Sequence, residues 1–62
     1  MIGEKIKALR TSLNLTQEEL ALKAELDSTS ICKIESDKAN PSMKALVRLA
    51  KALNVTPSEL LN

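Results

Sequence analysis

Apolar residues recur every three or four positions along nearly the whole chain, and short polar clusters interrupt them. Ile2, Ile6, Leu9 and Leu13 fall on one face of a first helix. Asn14 follows and suits the left-handed conformation that ends a helix. Thr16-Gln17-Glu18-Glu19 has the form of a capping box, in which a hydroxyl and a carboxylate satisfy each other's backbone amides. Leu15 before it and Leu20 after it supply the matching hydrophobic staple. The second helix then turns Leu20, Ala21 and Ala24 inward and Leu22 outward. A turn at Glu25-Leu26 leads to Asp27, which is placed to cap a third helix over residues 28–35. Ile31 and Ile34 face inward there, and Leu26 plugs the turn. Ser36 to Pro41 is polar and ends in a residue that disfavours helix before it. Ser42 caps a fourth helix with Met43, Leu46, Leu49, Ala50 and Leu53 as its inward stripe and Val47 on the flank. Thr56-Pro57-Ser58-Glu59 is a second capping box, with Pro at the first helical position. It opens a helix of about one turn.

The pattern predicts an all-α fold of five helices with no strand. The expected core is Ile6, Leu9, Leu13, Leu20, Ala21, Ala24, Leu26, Ile31, Ile34, Leu46, Leu49, Ala50, Leu53 and Val55. Composition narrows the picture. With 62 residues the chain has room for one domain, residues 1–62. A chain this short buries only roughly 60% of the surface its unfolded form exposes, so its stability is modest. Phe, Tyr and Trp are absent, and aliphatic side chains must fill the core. One glycine and two prolines argue against a turn-rich β fold. The net charge of +1 neither requires nor excludes a nucleic-acid partner. Cys32 is the single cysteine and is expected to be an inert, partly exposed thiol, since one cysteine cannot make an intrachain disulfide. Without histidine a closed structural metal site is not expected, nor is a cofactor. The usual catalytic bases are missing and no carboxylates converge, which argues against an enzyme. No secretory pattern or membrane-length apolar run is present, so the chain reads as cytoplasmic and free of membrane.

Two short helices joined by a turn of about three residues, with an apolar plug in the turn, form a helix-turn-helix unit, whose second helix fits the major groove of DNA. Beyond this unit the chain resembles the repressor/Cro-type helix-turn-helix family of phage repressors and small bacterial regulators from Ile2 to Leu61. The resemblance rests on Ile6-Lys7-Ala8-Leu9-Arg10, Leu15-Thr16-Gln17-Glu18-Glu19-Leu20-Ala21, Ser28-Thr29-Ser30-Ile31-Cys32-Lys33-Ile34-Glu35, Asn40-Pro41-Ser42 and Leu49-Ala50-Lys51-Ala52-Leu53-Asn54-Val55, in that order.

The resemblance implies a regulator of transcription that binds double-stranded DNA. Ser28, Thr29 and Lys33 would contact base edges. Gln17, Ser30, Lys38 and Asn40 would contact the DNA backbone, with Gln17 also bracing the recognition helix. Arg10 and Glu35 would form a partly buried salt bridge. The family usually carries glycine where this chain has Asn14, Glu25, Asp37 and Asn54. Asn and Asp tolerate positive φ well, so Glu25 is the true departure and implies strain or an altered turn. Asp27 and Asp37 also bring negative charge toward the expected DNA edge. One module makes few base contacts, so a homodimer on a palindromic operator is expected, built from Val55, Pro57, Leu60 and Leu61. The competing reading is a protein-interaction or antitoxin module on the same fold.

Overall fold

The computed structural model describes residues 2–61. Five α-helices follow one another: α1 (Ile2–Ser12), α2 (Gln17–Ala24), α3 (Ser28–Glu35), α4 (Met43–Ala52) and α5 (Pro57–Leu61). No strand occurs among the described residues. α2 packs on α3 and α4, α4 on α5, and α1 bridges α3 and α5. Ile6, Leu20, Ile31, Leu49 and Leu60 are fully enclosed at the centre. Each contributes about 1.5–3 kcal/mol of burial free energy. Ala21, Ala24 and Ala50 are also buried, and such small residues let helices approach closely where α2 meets α4.

The sequence signals set most helix starts. Thr16 Oγ1 accepts from the Glu19 amide at 3.0 Å, and the Glu19 carboxylate accepts from the Thr16 amide at 2.8 Å, which completes the capping box. Ser42 Oγ accepts from the Ala45 amide at 3.1 Å, and Thr56 Oγ1 from the Glu59 amide at 3.3 Å. Asp27 departs from expectation. It occupies the cap position of α3 with extended backbone, but its side chain makes no capping bond.

α1 to α4 all stop in the same way. Asn14, Glu25, Asp37 and Asn54 lie at φ 58 to 60°. The following amide in each case reaches back five residues: Leu15 to Arg10 O, Leu26 to Ala21 O, Lys38 to Lys33 O and Val55 to Ala50 O. This is the Schellman stop, which normally recruits glycine because a Cβ is strained in the left-handed region. Here no glycine serves it. The turn around Glu25 is therefore not altered; a strained residue sits in an ordinary turn. Relative to right-handed backbone the strain is of the order of 1–2 kcal/mol, and less for Asn and Asp.

Gly3 lies within α1 and its backbone is buried. A Cβ there would stand 2.5 Å from the Ile34 carbonyl oxygen and 2.7 Å from that of Glu35. Side-chain-free backbone is thus what lets α1 seat against the end of α3.

Six apolar residues depart from expectation. Leu13 is 42% exposed, because the buried face of α1 is centred on Gly3, Ile6 and Arg10 and α1 has ended before Leu13 is reached. Met43 is 68% exposed; it is the first residue of α4 and overhangs the core. Leu60 is only 1% exposed, because α5 packs on both α1 and α4. It belongs to the core and has no surface to offer a second copy. Leu9, Leu26 and Val55 are only partly buried and line the rim of the core.

Candidate nucleic-acid interface

α3 is held by its inward face and carries its polar residues outward. Ile31 and Ile34 enter the core, and Glu35 is buried beside them. The Glu35 carboxylate is gripped from two helices. Arg10 Nε donates to Glu35 Oε2 at 2.6 Å, and Arg10 Nη2 to Oε1 at 3.1 Å. The third nitrogen, Nη1, donates to the Leu15 carbonyl at 2.7 Å, which ties the turn between α1 and α2 into the same network. Gln17 Nε2 completes it by donating to Glu35 Oε1 at 3.1 Å. The paired side chains are 11% and 3% exposed. No buried side-chain polar atom among the described residues is left unbonded. A bidentate guanidinium–carboxylate pair with its remaining valences satisfied fixes geometry as well as sign of charge.

The network sets the rotation of α3. With Ile31, Ile34 and Glu35 turned inward, helical periodicity directs Thr29 and Lys33 outward, and both are exposed. Ser28 and Cys32 lie on the flank toward α2, where with Gln17 and Glu18 they line an open groove. Ser30 lies on the opposite flank and is half-buried. It lines a second groove with Lys33, Asn40 and the start of α4. The expected contact residues are therefore divided by the α3 ridge. Ser28, Thr29 and Gln17 share the α2 side, while Ser30, Lys33 and Asn40 share the α4 side. Lys38 is exposed in the loop after α3.

Two charged features differ from the sequence reading. Glu18 places a carboxylate in the groove beside Ser28 and Thr29; its position in the capping box had drawn attention to the helix start only. Asp37 turns its carboxylate away from the loop and toward α1, where Oδ1 accepts from the Gly3 amide at 3.3 Å. The role of Gly3 itself had no periodic signature. Cys32 is a free, exposed thiol. No group of His, Cys, Asp and Glu capable of holding a metal occurs among the described residues. None of the helices among the described residues is long and apolar enough to cross a membrane. Of the surface assigned to a second copy, Val55 and Pro57 are half-buried and Leu61 is 62% exposed.

Known proteins share this arrangement. A helix-turn-helix family profile matches residues 6–60. The chain is 46% identical over 60 residues to the transcriptional activator BcrR of Enterococcus faecalis, covering 97% of this chain and 29% of that protein. It is 41% identical over 59 residues to the immunity repressor of Bacillus phage phi105, covering 95% and 41%. The chain thus spans less than half the length of these two relatives. Among solved structures, the amino-terminal DNA-binding domain of SinR from Bacillus subtilis superposes with a TM-score of 0.95 at 33% identity, covering 100% of this chain and 91% of that one. SinR has also been solved in complex with DNA. Profile, sequence relatives and structure agree, and the chain belongs to the repressor/Cro-type helix-turn-helix family.

Proposed function

We propose that the chain is a sequence-specific, double-stranded DNA-binding regulator of transcription that reads the major groove with α3. The observation that carries this reading is the contrast within α3. A buried network holds its inward side, and an exposed ridge of Thr29 and Lys33 is left with no task in the fold. Relatives named as transcriptional regulators and a DNA-bound structural neighbour support it.

Thr29, Lys33 and Ser28 read base edges, since short hydroxyls and a flexible ammonium suit close approach to the groove floor. Lys38, Asn40 and Ser30 meet phosphates on the α4 side. Gln17 meets a phosphate at the amino end of α2, where the helix dipole also favours an anion. Its amide nitrogen is engaged with Glu35, so one side chain both braces α3 and touches the backbone of DNA. Two copies bind a palindrome with half-sites roughly 34 Å apart. Val55, Pro57 and Leu61 supply the contact between them. The place of action is the cytoplasm.

Selection from a random duplex pool followed by titration at several salt concentrations tests the reading. The expected result is a preferred sequence and an affinity that falls steeply with salt. Thr29→Ala alters preference at one base position. Lys38→Ala weakens binding to all duplexes alike and lowers the salt slope by about one unit. Binding to a protein partner with no salt-dependent affinity for any duplex would favour the interaction-module reading instead. Sedimentation with a palindromic duplex tests assembly: a one-to-one complex unchanged by Leu61→Glu would end the dimer.

A further inference from the structure

Asp37 is badly placed for its own helix. It follows the carboxyl end of α3, where the partial negative charge of the helix terminus repels a carboxylate. It also adopts φ 60°, a conformation glycine takes without strain. Yet the chain spends its single glycine elsewhere. That glycine is Gly3, in the first turn of α1, and the two positions meet. Asp37 Oδ1 accepts from the Gly3 amide at 3.3 Å. First-turn amides have no partner within their own helix, and a helix amino end favours a carboxylate. Any Cβ on Gly3 would stand 2.7 Å from Asp37 Oδ1, so the contact needs glycine at position 3 as much as a carboxylate at position 37.

We propose that Asp37 is a positioning residue, fastening the α3–α4 loop to the first turn of α1 and so holding Lys38 and Asn40 where they meet DNA. The inference rests on the DNA-binding reading. The linkage is short. The Asp37 amide donates to Ile34 O at 3.1 Å, and the next amide, of Lys38, donates to Lys33 O at 2.9 Å. These main-chain bonds tie the elbow to α3, and the Asp37 carboxylate gives it a second anchor on α1; losing that anchor loosens the elbow from which Lys38 projects. A competing role makes the opposite prediction. If Asp37 were only an acid beside the phosphates, Asp37→Gly would remove repulsion and backbone strain together, and binding would tighten.

The test combines Asp37→Gly, Asp37→Asn, Lys38→Ala and the double variant Asp37→Gly/Lys38→Ala. Hydrogen exchange of the Gly3 amide, followed by NMR, reads the fastening without DNA. Fluorescence anisotropy on the selected duplex reads affinity. In Asp37→Gly the Gly3 amide loses protection, and DNA binding weakens by about two- to tenfold, the range expected for one net hydrogen bond. Asp37→Asn keeps an acceptor oxygen and tolerates positive φ, so it restores most of the protection and affinity. Lys38→Ala costs less affinity in the Asp37→Gly background than alone, a coupling that a merely structural role would not produce. Unchanged Gly3 protection, or tighter binding by Asp37→Gly with additive effects, overturns the proposal. A wild-type protein that binds no duplex overturns the DNA reading and the positioning role with it, while the Gly3 amide still reports separately whether the fastening exists.

Discussion

On the inward side of α3, Ile31, Ile34 and Glu35 are buried, and Glu35 alone accepts hydrogen bonds from both Arg10 and Gln17. On the outward side, Thr29, Cys32 and Lys33 are exposed, and among the described residues their side chains make no ion pair or hydrogen bond. The two sides of one eight-residue helix thus answer to different demands. The inward side fixes position, so its residues are constrained by partners on α1 and α2. The outward side is constrained by nothing in the monomer, which leaves its chemistry free to be set by a ligand. Substitutions should separate the two sides by their effect on stability and by their effect on DNA binding.

The largest effect is expected on the inward side. Glu35→Ala leaves the Arg10 guanidinium buried without its partner and should cost about 3–5 kcal/mol. Urea unfolding measures it, and in a domain this small the loss removes much of the total stability. A cost under 1 kcal/mol would mean that the pair is solvated and does not anchor α3. Next comes the seat of α1 on the end of α3. Gly3→Ala forces a methyl against the Ile34 and Glu35 carbonyl oxygens and should cost about 1–3 kcal/mol. Thermal melts of Gly3→Ala beside Ala8→Gly, an exposed site on the same helix, would separate the clash from helix propensity.

The third prediction reverses sign. Glu25→Gly relieves positive φ at the entrance to α3 and should stabilise by up to about 1 kcal/mol, since the added freedom of the unfolded chain offsets part of the relief. A destabilised variant would show that the Glu25 side chain makes a contribution beyond its backbone. The smallest stability effect belongs to the outward side. Thr29→Ala and Lys33→Ala should stay within about 0.5 kcal/mol of wild type by urea unfolding, while shifting base preference in a duplex selection. Were either to unfold the protein, the division between the two sides of α3 would fail.

The regular parts of the fold were readable from local pattern. The stretch from Ser28 to Glu35 is helical over the residues expected, and the capping box at Thr16 forms both its bonds. These features depend on residues three or four positions apart, so the local sequence contains both partners. Leu13 and Met43 mark where that logic stops. Both satisfy the periodicity, but burial also requires a neighbour opposite, and the ends of α1 and α4 have none. Leu60 shows the converse. Leu60 was expected at a surface facing a second copy, yet α1 and α4 together enclose it.

The sequence by itself determined five helices, the caps at Thr16, Ser42 and Thr56 and the outward placement of Thr29 and Lys33, because helix formation and amphipathicity are written in neighbouring residues. Four left-handed stops were foreshadowed by Asn14, Glu25, Asp37 and Asn54 standing where the family places glycine. The pairing of Arg10 with Glu35 was expected from family resemblance alone, since no spacing rule joins them. Only the tertiary structure decided the rest: that Gln17 shares the Glu35 carboxylate, that the α3 ridge divides the contact residues between two grooves, and that Gly3 meets Asp37. Each of these depends on how helices cross. Crossing follows from shape and hydrogen bonding summed over distant segments, and the side chain Gly3 lacks leaves no pattern in the sequence to be read.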